Sequence, residues 1–304
     1  MPFSPPLLIS ASRRTDVPAF YGEWFRNRLN AGWCETANPF SGEIYRVSLA
    51  PRDVLGWVFW SRNYIPFLGV LTDLHRRGQR FLCHFTITGY PAAFDPRTIA
   101  AEEAVRTARR LAEEFGPDVV QWRYDPILLS SETPPSWHRE NFERLAAGLE
   151  GSARRCVFSF PTMYKKTIRN LEATGARHSL RVWSKGAGDF AKEDLAALAG
   201  ELAVVAKGRG MEMHSCCGGE WADPQAGIAR ARCVDWPLLR RLAPGAGDIE
   251  VPRRPSRKGC GCFQSVDIGA YNTCAHGCAY CYAVEDAELA QRRSQAHSPR
   301  SPRL

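Results

Sequence analysis

Short runs of β-branched and aromatic residues alternate along this chain with amphipathic segments of helical period. Such alternation is typical of βα units, which pair their strands in parallel because each helical crossover carries the chain back along the sheet. One predicted helix, Ala100–Phe115, has Ala, Leu and Val on one face and Glu and Arg on the other. Eight such strands, with helices between most of them, predict an α/β fold of the (β/α)8, TIM-barrel-like type. The predicted strands are Leu7–Ser10, Tyr45–Ser48, Gly56–Trp60, Arg80–Phe85, Val119–Arg123, Arg155–Phe160, Glu212–Ser215 and Ser265–Ile268.

Length and composition favour one large domain. The 304 residues are 44% hydrophobic, which is enough for a barrel-sized core, and neither an internal repeat nor a convincing linker divides them. We expect a single barrel domain over residues 1–290, including a cysteine-rich segment at about 210–283, and a basic disordered tail over residues 291–304. The other predicted helices are Pro18–Leu29, Pro66–Arg77, Ser136–Leu149, Tyr164–Ala173 and Lys192–Lys207.

The cysteines indicate metal chemistry. The sequence has no run of 18 apolar residues and no secretory signal at its N-terminus, so we expect a cytoplasmic protein without membrane contact. In that compartment eleven cysteines favour metal or cluster ligation over a disulfide framework. Cys34, Cys83 and Cys156 are isolated among apolar residues and are predicted to be core thiols. The other eight crowd into the last third: Cys216, Cys217, Cys233, Cys260, Cys262, Cys274, Cys278 and Cys281.

The last three cysteines form a C-x3-C-x2-C run, Cys274, Cys278 and Cys281. Three thiolates on one short loop can ligate three irons of a [4Fe–4S] cluster and leave the fourth iron open for chemistry. Gly277 relieves crowding before the second thiolate, and the ring of Tyr280 can exclude water beside the third. A zinc knuckle, a purely electron-carrying cluster and unrelated thiols are the alternatives.

This run, with its aromatic residue before the last cysteine, resembles the signature of the radical S-adenosylmethionine (SAM) enzymes. In that superfamily the open iron binds the amino and carboxylate groups of SAM, and one electron from the cluster cleaves the sulfonium to give a 5′-deoxyadenosyl radical. The resemblance implies a [4Fe–4S] cluster and SAM as cofactors. It also implies an electron donor such as flavodoxin or ferredoxin.

Polar residues follow most of the predicted strands. A parallel barrel has its active site at the C-terminal ends of its strands, so these side chains are expected to converge on one rim. Thr15, Asp16 and Ser61 could be only helix N-caps, and Arg123 with Asp125 could be only a structural salt bridge. The residues predicted to line a substrate pocket are Arg62, Asn63, Arg123, Asp125 and Lys165.

Four segments of the chain resemble the DUF1848 family of bacterial proteins. They are Ile9–Asp16, Val58–Asn63, Trp122–Leu128 and Gly259–Ala283, and the resemblance runs over roughly residues 7 to 283. It implies an iron–sulfur cluster and a barrel rather than a particular reaction.

The cysteine loop follows the last predicted strand, whereas in most radical SAM enzymes it follows the first. A circular permutation explains this order, with Ser265–Ile268 in the role of the first strand and Leu7–Ser10 in that of the second. The loop after the second strand then binds SAM, with Asp16 at the amino group and Arg13 or Arg14 at the carboxylate. The predicted SAM-binding residues are Ser12, Arg13, Arg14 and Asp16. A Gly-Gly-Glu triplet at residues 218–220 follows a different strand and is treated as coincidental.

A second site is predicted from four cysteines that match the family pattern, Cys216, Cys233, Cys260 and Cys262, whereas Cys217 is less regular. Four thiolates from three segments would close a second [4Fe–4S] cluster or a zinc site with four cysteine ligands. Such a site could relay electrons to the first cluster, bind substrate or tie the C-terminal segment to the barrel.

Three functions are consistent with these features. The first is a radical SAM enzyme. The second is an iron–sulfur protein for electron transfer or redox sensing, which would not need the polar rim. The third is a zinc- or iron–sulfur-containing protein that binds nucleic acid through its basic segments, because the formal net charge is +8. The third is less favoured, since most of Trp57, Trp60, Trp122 and Trp183 lie in strand-like runs typical of a core.

Overall fold

The computed structural model describes residues 6–183, 190–217, 220–242, 249–257 and 259–304. Strands in parallel sheets are buried on both faces, and β1 and β6 are buried at every position. The strands in the described residues are β1 (Leu7–Ala11), β2 (Trp33–Ala37), β3 (Ile44–Ser48), β4 (Val54–Ser61), β5 (Phe81–Thr86), β6 (Val120–Tyr124), β7 (Arg155–Phe158), β8 (Glu212–Ser215), β9 (Ile228–Arg230) and β10 (Val266–Asp267).

Eight of these strands form one parallel sheet in the order β10-β1-β4-β5-β6-β7-β8-β9. The strand latest in sequence, β10, lies beside the earliest, β1, with Ile9 opposite Val266 and Ser10 opposite Asp267. After β10, the strands lie side by side in the sheet in the same order as in the sequence, from β1 to β9. The predicted α/β fold with a parallel sheet is confirmed.

Two strands differ from the sequence-based expectation. The predicted strand Tyr45–Ser48 is not part of the central sheet, because β3 pairs antiparallel with β2 in a separate two-stranded ribbon. Its burial is uneven, with Ile44 exposed and Val47 buried, as expected for a strand with one solvated face. Strand β9 was not predicted, since it has three residues of which only Ile228 is buried.

Helices follow most of the central strands and cover the sheet. In α4 the buried residues Ala104, Ala108 and Leu111 form one stripe at helical spacing. The predicted helix Pro18–Leu29 is divided at Tyr21, which ends α1 and precedes α2. None of the described helices is long and apolar enough to cross a membrane. The helices are α1 (Val17–Phe20), α2 (Gly22–Ala31), α3 (Leu68–Arg76), α4 (Ala101–Phe115), α5 (Pro135–Leu149), α6 (Lys165–His178), α7 (Lys192–Gly208), α8 (Trp236–Leu242) and α9 (Ala287–Ala296).

The largest core cluster is aromatic. The ring of Phe25 in α2 lies 5.2 Å from Trp57 and 5.6 Å from Phe59, both on β4, and 5.4 Å from Phe67. Each such ring contributes about 1.5–3 kcal/mol when it is fully buried. The three isolated thiols are fully buried as predicted: Cys34, Cys83 and Cys156.

The predicted disordered tail is corrected by the structure. Helix α9 covers residues 287–296, and the segment after it packs on α2. The indole nitrogen of Trp24 donates to the Ser301 carbonyl at 3.0 Å, and the Asn27 amide donates to the Pro299 carbonyl at 3.0 Å. Composition alone suggested disorder because the side chains are basic, but the contacts are made by backbone carbonyls, which composition does not reveal.

A buried histidine joins α5 to the end of β6. The Nε2 atom of His138 lies 3.0 Å from the Leu128 carbonyl, and Nδ1 lies 2.8 Å from the Tyr124 hydroxyl. Because the carbonyl only accepts, Nε2 donates, and in the neutral ring Nδ1 then accepts from the Tyr124 hydroxyl. Burial lowers the pKa of His138 from 6.5 to about 4.

This histidine is expected to make stability fall in acid. Between pH 7 and pH 4 the unfolded chain takes up a proton that folded His138 refuses, so the free energy of unfolding decreases. We expect His138→Gln to remove about 2 kcal/mol of the stability difference between pH 7 and pH 5, measured by urea unfolding. Exposed His178→Gln is the control and should keep the wild-type dependence. An unchanged dependence in both variants would contradict the assignment.

Candidate functional site

The segment from residue 268 to residue 281, here called the cysteine loop, begins directly after β10. Within it, the Cys281 amide donates to the Cys278 carbonyl at 3.1 Å and closes a tight turn. Gly277 has a φ of +72°, and a Cβ there would lie 2.3 Å from a guanidinium nitrogen of Arg97. Arg97 in turn donates from Nε to the Ala275 carbonyl at 2.6 Å. The loop is therefore held by a neighbouring arginine that only glycine allows to approach.

The three loop thiols are desolvated and interact electrostatically with one another. Cys274, Cys278 and Cys281 are only half-buried, yet burial raises the pKa of each. The thiol of Cys278 interacts electrostatically with those of Cys274 and Cys281. Such an arrangement fits thiolate ligands whose charge a metal group would offset.

Asp16 fixes the loop to the end of β1. Its Oδ1 accepts from the Ala19 amide at 2.8 Å as the N-cap of α1, and Oδ2 accepts from the Arg62 amide at 2.8 Å. Oδ2 also lies 2.8 Å from Nε2 of His276, which is in the cysteine loop. Both carboxylate oxygens of this predicted SAM-binding residue are thus engaged by the protein, and Asp16 is buried.

Arg62 holds the aromatic residue of the loop. Its guanidinium binds the Asp95 carboxylate at 2.7 Å and also donates to the Tyr280 hydroxyl. That hydroxyl donates to Asp95 at 2.8 Å. Burial lowers the pKa of Arg62, but the Asp95 carboxylate more than offsets this, and the pKa ends well above its usual value. Arg62 therefore acts on the cysteine loop, through a carboxylate that sequence reasoning missed.

The carboxylate of Asp267 ties the Ser12–Asp16 loop to the strand before the cysteines. It accepts from the Ser10 hydroxyl at 2.6 Å, the Ser12 hydroxyl at 2.7 Å and the Arg13 amide at 2.9 Å. Nε of Arg14 binds the same carboxylate at 3.0 Å. Burial raises the pKa of Asp267. Arg14 and the hydroxyl groups lower it by a larger amount, so the pKa ends below its usual value. Ser12 and Arg14, both predicted to bind SAM, are thus bonded to this carboxylate instead.

Five thiols form a second set, here called the upstream thiol group: Cys216, Cys217, Cys233, Cys260 and Cys262. The sulfur of Cys216 lies 3.6 Å from that of Cys233 and 3.8 Å from that of Cys217. Cys260 contacts both Cys217 and Cys262, and Cys262 contacts Cys233. The four predicted ligands therefore come together, and Cys217 joins them.

Cys217 joins the group because of its backbone. Successive side chains of an extended strand point to opposite faces, so two consecutive cysteines would not share a site. Cys217 has a φ of +55°, in the left-handed region, which costs on the order of 1 kcal/mol or more for a residue other than glycine. This turn brings its half-exposed thiol beside Cys216 and Arg257.

Arginines surround the upstream thiol group. A terminal nitrogen of Arg123 lies 3.1 Å from the Cys233 sulfur, and the same guanidinium is ion-paired with Asp125. Burial lowers the pKa of Arg123, but Asp125 and then Cys233 raise it well above its usual value. Asp125 also accepts from the Ser159 hydroxyl. Positive charge therefore lies where thiolate ligands would bring negative charge.

The donor chemistry of both thiol sets suits zinc or iron–sulfur clusters, since these are the partners that soft thiolates favour. Within the described residues, no three His, Cys, Asp or Glu side chains are arranged to hold a single metal ion.

Two predicted pocket residues lie away from these contacts. Oδ1 of Asn63 accepts from the Ile65 amide at 3.0 Å and so shapes a local turn. Lys165 is exposed at the start of α6, whereas Lys166 is half-buried with its ammonium 5.5 Å from the Tyr271 ring. Residues 218 and 219 of the Gly-Gly-Glu triplet lie outside the described residues.

A cavity of about 330 Å³ lies behind the start of the cysteine loop, between residues 268–271 and the β2–β3 ribbon. Its charged wall includes Arg14, whose terminal nitrogens donate to the Thr36 hydroxyl at 3.0 Å and the Ala37 carbonyl at 3.2 Å. The volume is at the lower end for small-molecule sites. Arg14 is already bonded to the protein and is a poor candidate for holding a ligand there.

Removal of the Asp267 charge is expected to destabilise the fold. Asp267→Asn keeps the shape but leaves buried Arg14 without its ion-pair partner, so the free energy of unfolding should fall by about 3 kcal/mol, measured by urea unfolding. Asp118→Asn is the matched control, because the Asp118 pair with Arg154 is exposed and should be worth less than about 1 kcal/mol. Equal small losses in both variants would contradict the central role of Asp267.

The five thiols of the upstream thiol group are expected to contribute unequally to metal binding. Four thiolates would be enough to close the metal site predicted from the sequence, and Cys217 is the most exposed of the five, so Cys217→Ser is expected to bind as much metal as the wild type. Cys233→Ser should lose it, because Cys233 is buried and contacts Cys216, Cys262 and Arg123. Metal and acid-labile sulfide per chain measure both, with Cys34→Ser as the core-thiol control. Metal loss in Cys217→Ser but not in Cys216→Ser would reverse the assignment.

Comparison with known proteins identifies the family. A crystal structure of D-hydantoinase matches with 8% sequence identity and a TM-score of 0.33, covering 74% of this chain and 45% of the hydantoinase chain. No curated protein matches the sequence at a significant level. The family model for a domain of unknown function, DUF1848, matches residues 8–283. This match spans most of the sequence, including both sets of cysteines, and the chain therefore belongs to the DUF1848 family.

Proposed function

We propose that this protein is an iron–sulfur enzyme of the radical SAM type that acts in the cytoplasm on a substrate still to be identified. Cys274, Cys278 and Cys281 would hold a [4Fe–4S] cluster with one open iron. The observation that carries the proposal is the position of their loop directly after β10, beside β1 in a parallel sheet. The C-terminal end of a parallel strand is where active sites of this fold class lie.

The same pairing supports a circularly permuted barrel. Counted from β10, the sheet runs β10, β1, β4 and onward in chain order to β9. In that count the cysteine loop follows the first strand and the Ser12–Asp16 loop follows the second. We propose that residues 1–290 belong to a single domain with this arrangement.

When bound, the cluster would supply a coordination site for SAM and the electron that cleaves it to a 5′-deoxyadenosyl radical. The residues of the chain shape and dry that site. Tyr280 is buried against Tyr90, with ring centroids 5.8 Å apart, and interacts electrostatically with Cys278, so its ring would keep water from the second thiolate. Ser12, Arg14 and Asp16 would act by holding their loop, through the bonds described above, rather than by direct contact with SAM.

The upstream thiol group would hold a second [4Fe–4S] cluster. Arg123 and Asp125 lie against this group and would line the substrate pocket between the two sets of thiols. The proposed partners are SAM, the substrate and a low-potential electron donor such as flavodoxin or ferredoxin. Asn63 and Lys165 take no part in the proposal, because their contacts are local or exposed.

The decisive test is metal content and electron paramagnetic resonance (EPR). After purification without oxygen and reconstitution with iron and sulfide, we expect about eight irons per chain, four for each cluster. The EPR signal of the reduced protein should change when SAM is added. About four irons without a SAM effect would favour a redox or structural cluster, and zinc without an EPR signal would overturn the proposal.

A single variant separates the two sites. Cys278→Ser should lose the SAM effect and about half of the iron, because it removes one ligand of the open cluster but none of the upstream group. Cys83→Ser is the matched control, since Cys83 is fully buried in the core and contacts neither set. Retention of the SAM effect in Cys278→Ser would contradict the assignment of this loop.

A further inference from the structure

The backbone of Arg13 is bonded to residues on both sides of the cysteine loop. Its carbonyl oxygen accepts a hydrogen bond of 2.6 Å from the hydroxyl of Tyr282, the residue directly after Cys281. Its amide donates to Asp267, on the strand that precedes the cysteine loop. The main chain of Arg13 therefore fixes the cysteine loop at both of its ends.

The side chain of Arg13 is directed to the other set. Its guanidinium lies 5.4 Å from the centre of the Trp60 ring, and a terminal nitrogen is 3.5 Å from the Ser265 hydroxyl. Trp60 packs against a buried cluster that contains Cys216, Cys233, Cys260 and Cys262, so the guanidinium lies beside the upstream thiol group. Burial lowers the pKa of Arg13, but Cys262, Asp267 and Cys233 more than offset this and raise it.

Tyr282 is the link between the cysteine loop and Arg13. It follows Cys281 directly, its side chain is 45% exposed, and its hydroxyl donates to the Arg13 carbonyl. The end of the cysteine loop is therefore bonded to the same residue whose guanidinium lies over Trp60.

The positive charge of Arg13 can offset negative charge at the upstream thiol group. A buried anionic group is costly unless a positive group lies beside it. Guanidinium is suited to this task because it stays protonated and is weakly hydrated. One-electron reduction of a metal group adds a negative charge, so a nearby fixed positive charge favours the reduced form.

We propose that Arg13 is a positioning residue that couples the two thiol sites. Its backbone holds the last thiol of the cysteine loop through Tyr282, and its guanidinium offsets the charge of the metal group on the upstream thiols. The inference rests on the proposed function only in requiring that the upstream thiols bind a metal group.

The test compares Arg13→Gln with Arg13→Lys in the full reconstituted chain. Arg13→Gln removes the charge and should move the midpoint potential of the upstream group to a more negative value, followed by EPR during a redox titration. Arg13→Lys keeps the charge and should stay close to the wild-type potential. If the upstream metal is zinc, its rate of release to a chelator replaces the potential, and only Arg13→Gln should release it faster.

The backbone contact is tested separately. Tyr282→Phe removes the hydroxyl that binds Arg13 and should alter the EPR signal of the loop cluster without moving the upstream potential. Tyr271→Phe is the matched control, because Tyr271 is an exposed tyrosine of the same segment that stacks with Arg14 and Lys166 instead. It should leave both signals unchanged.

Three outcomes would overturn the inference. These are an unchanged upstream potential or release rate in Arg13→Gln, equal shifts in the Gln and Lys variants, and a wild-type chain whose upstream thiols bind no metal. Failure of the proposed function gives a different result. A wild-type chain that lacks the SAM effect refutes that function, while the Arg13 comparison is still measured at the upstream group.

Discussion

The pairing of β10 with β1 is the contact on which the candidate site depends. Ser10 and Asp267 are 257 residues apart in sequence, yet their side chains are 2.6 Å apart and their strands are neighbours. Closing so large a loop has an entropic cost that a two-residue strand cannot offset by backbone pairing alone. The carboxylate of Asp267 adds bonds to Ser12, Arg13 and Arg14, and these polar contacts make the junction specific.

Both sets of thiols have a buried arginine beside them that supplies a fixed positive charge. Arg62, paired with Asp95, lies at the cysteine loop, and Arg123, paired with Asp125, lies at the upstream thiol group. Each pair is buried, so its desolvation is costly and it adds little net stability by itself. An arginine already oriented by a carboxylate can offset ligand charge without further ordering. Among the described residues Arg13 has no carboxylate within ion-pair distance, and its guanidinium lies over Trp60, which packs against the cluster that holds the upstream thiols.

Sequence reasoning predicted what depends on local pattern. The parallel sheet follows from continuous apolar runs such as Leu7–Ala11, and the three loop cysteines follow from their spacing. It missed what depends on distant contacts or on backbone conformation. Asp95 and Arg97 touch the cysteine loop across 185 and 178 residues, and no local pattern marks them. Cys217 joins the upstream group only because its backbone is left-handed, which spacing does not reveal.

A circular permutation changes the order of the strands in the sequence but need not change the site at their C-terminal ends. Two strands are neighbours because they are hydrogen-bonded to each other, whatever their order in the chain. The proposed permutation would instead change the order in which the parts of the site are synthesised. Every thiol of both sets lies at residue 216 or later, whereas the arginines and carboxylates that receive them, Arg13, Arg62 and Arg123 with their partners, mostly come earlier. During synthesis the N-terminal part of a chain is available to form contacts before the C-terminal part. The strands that bear these charges can therefore pair first, and the cysteine loop then docks on a surface whose positive charge is already in place.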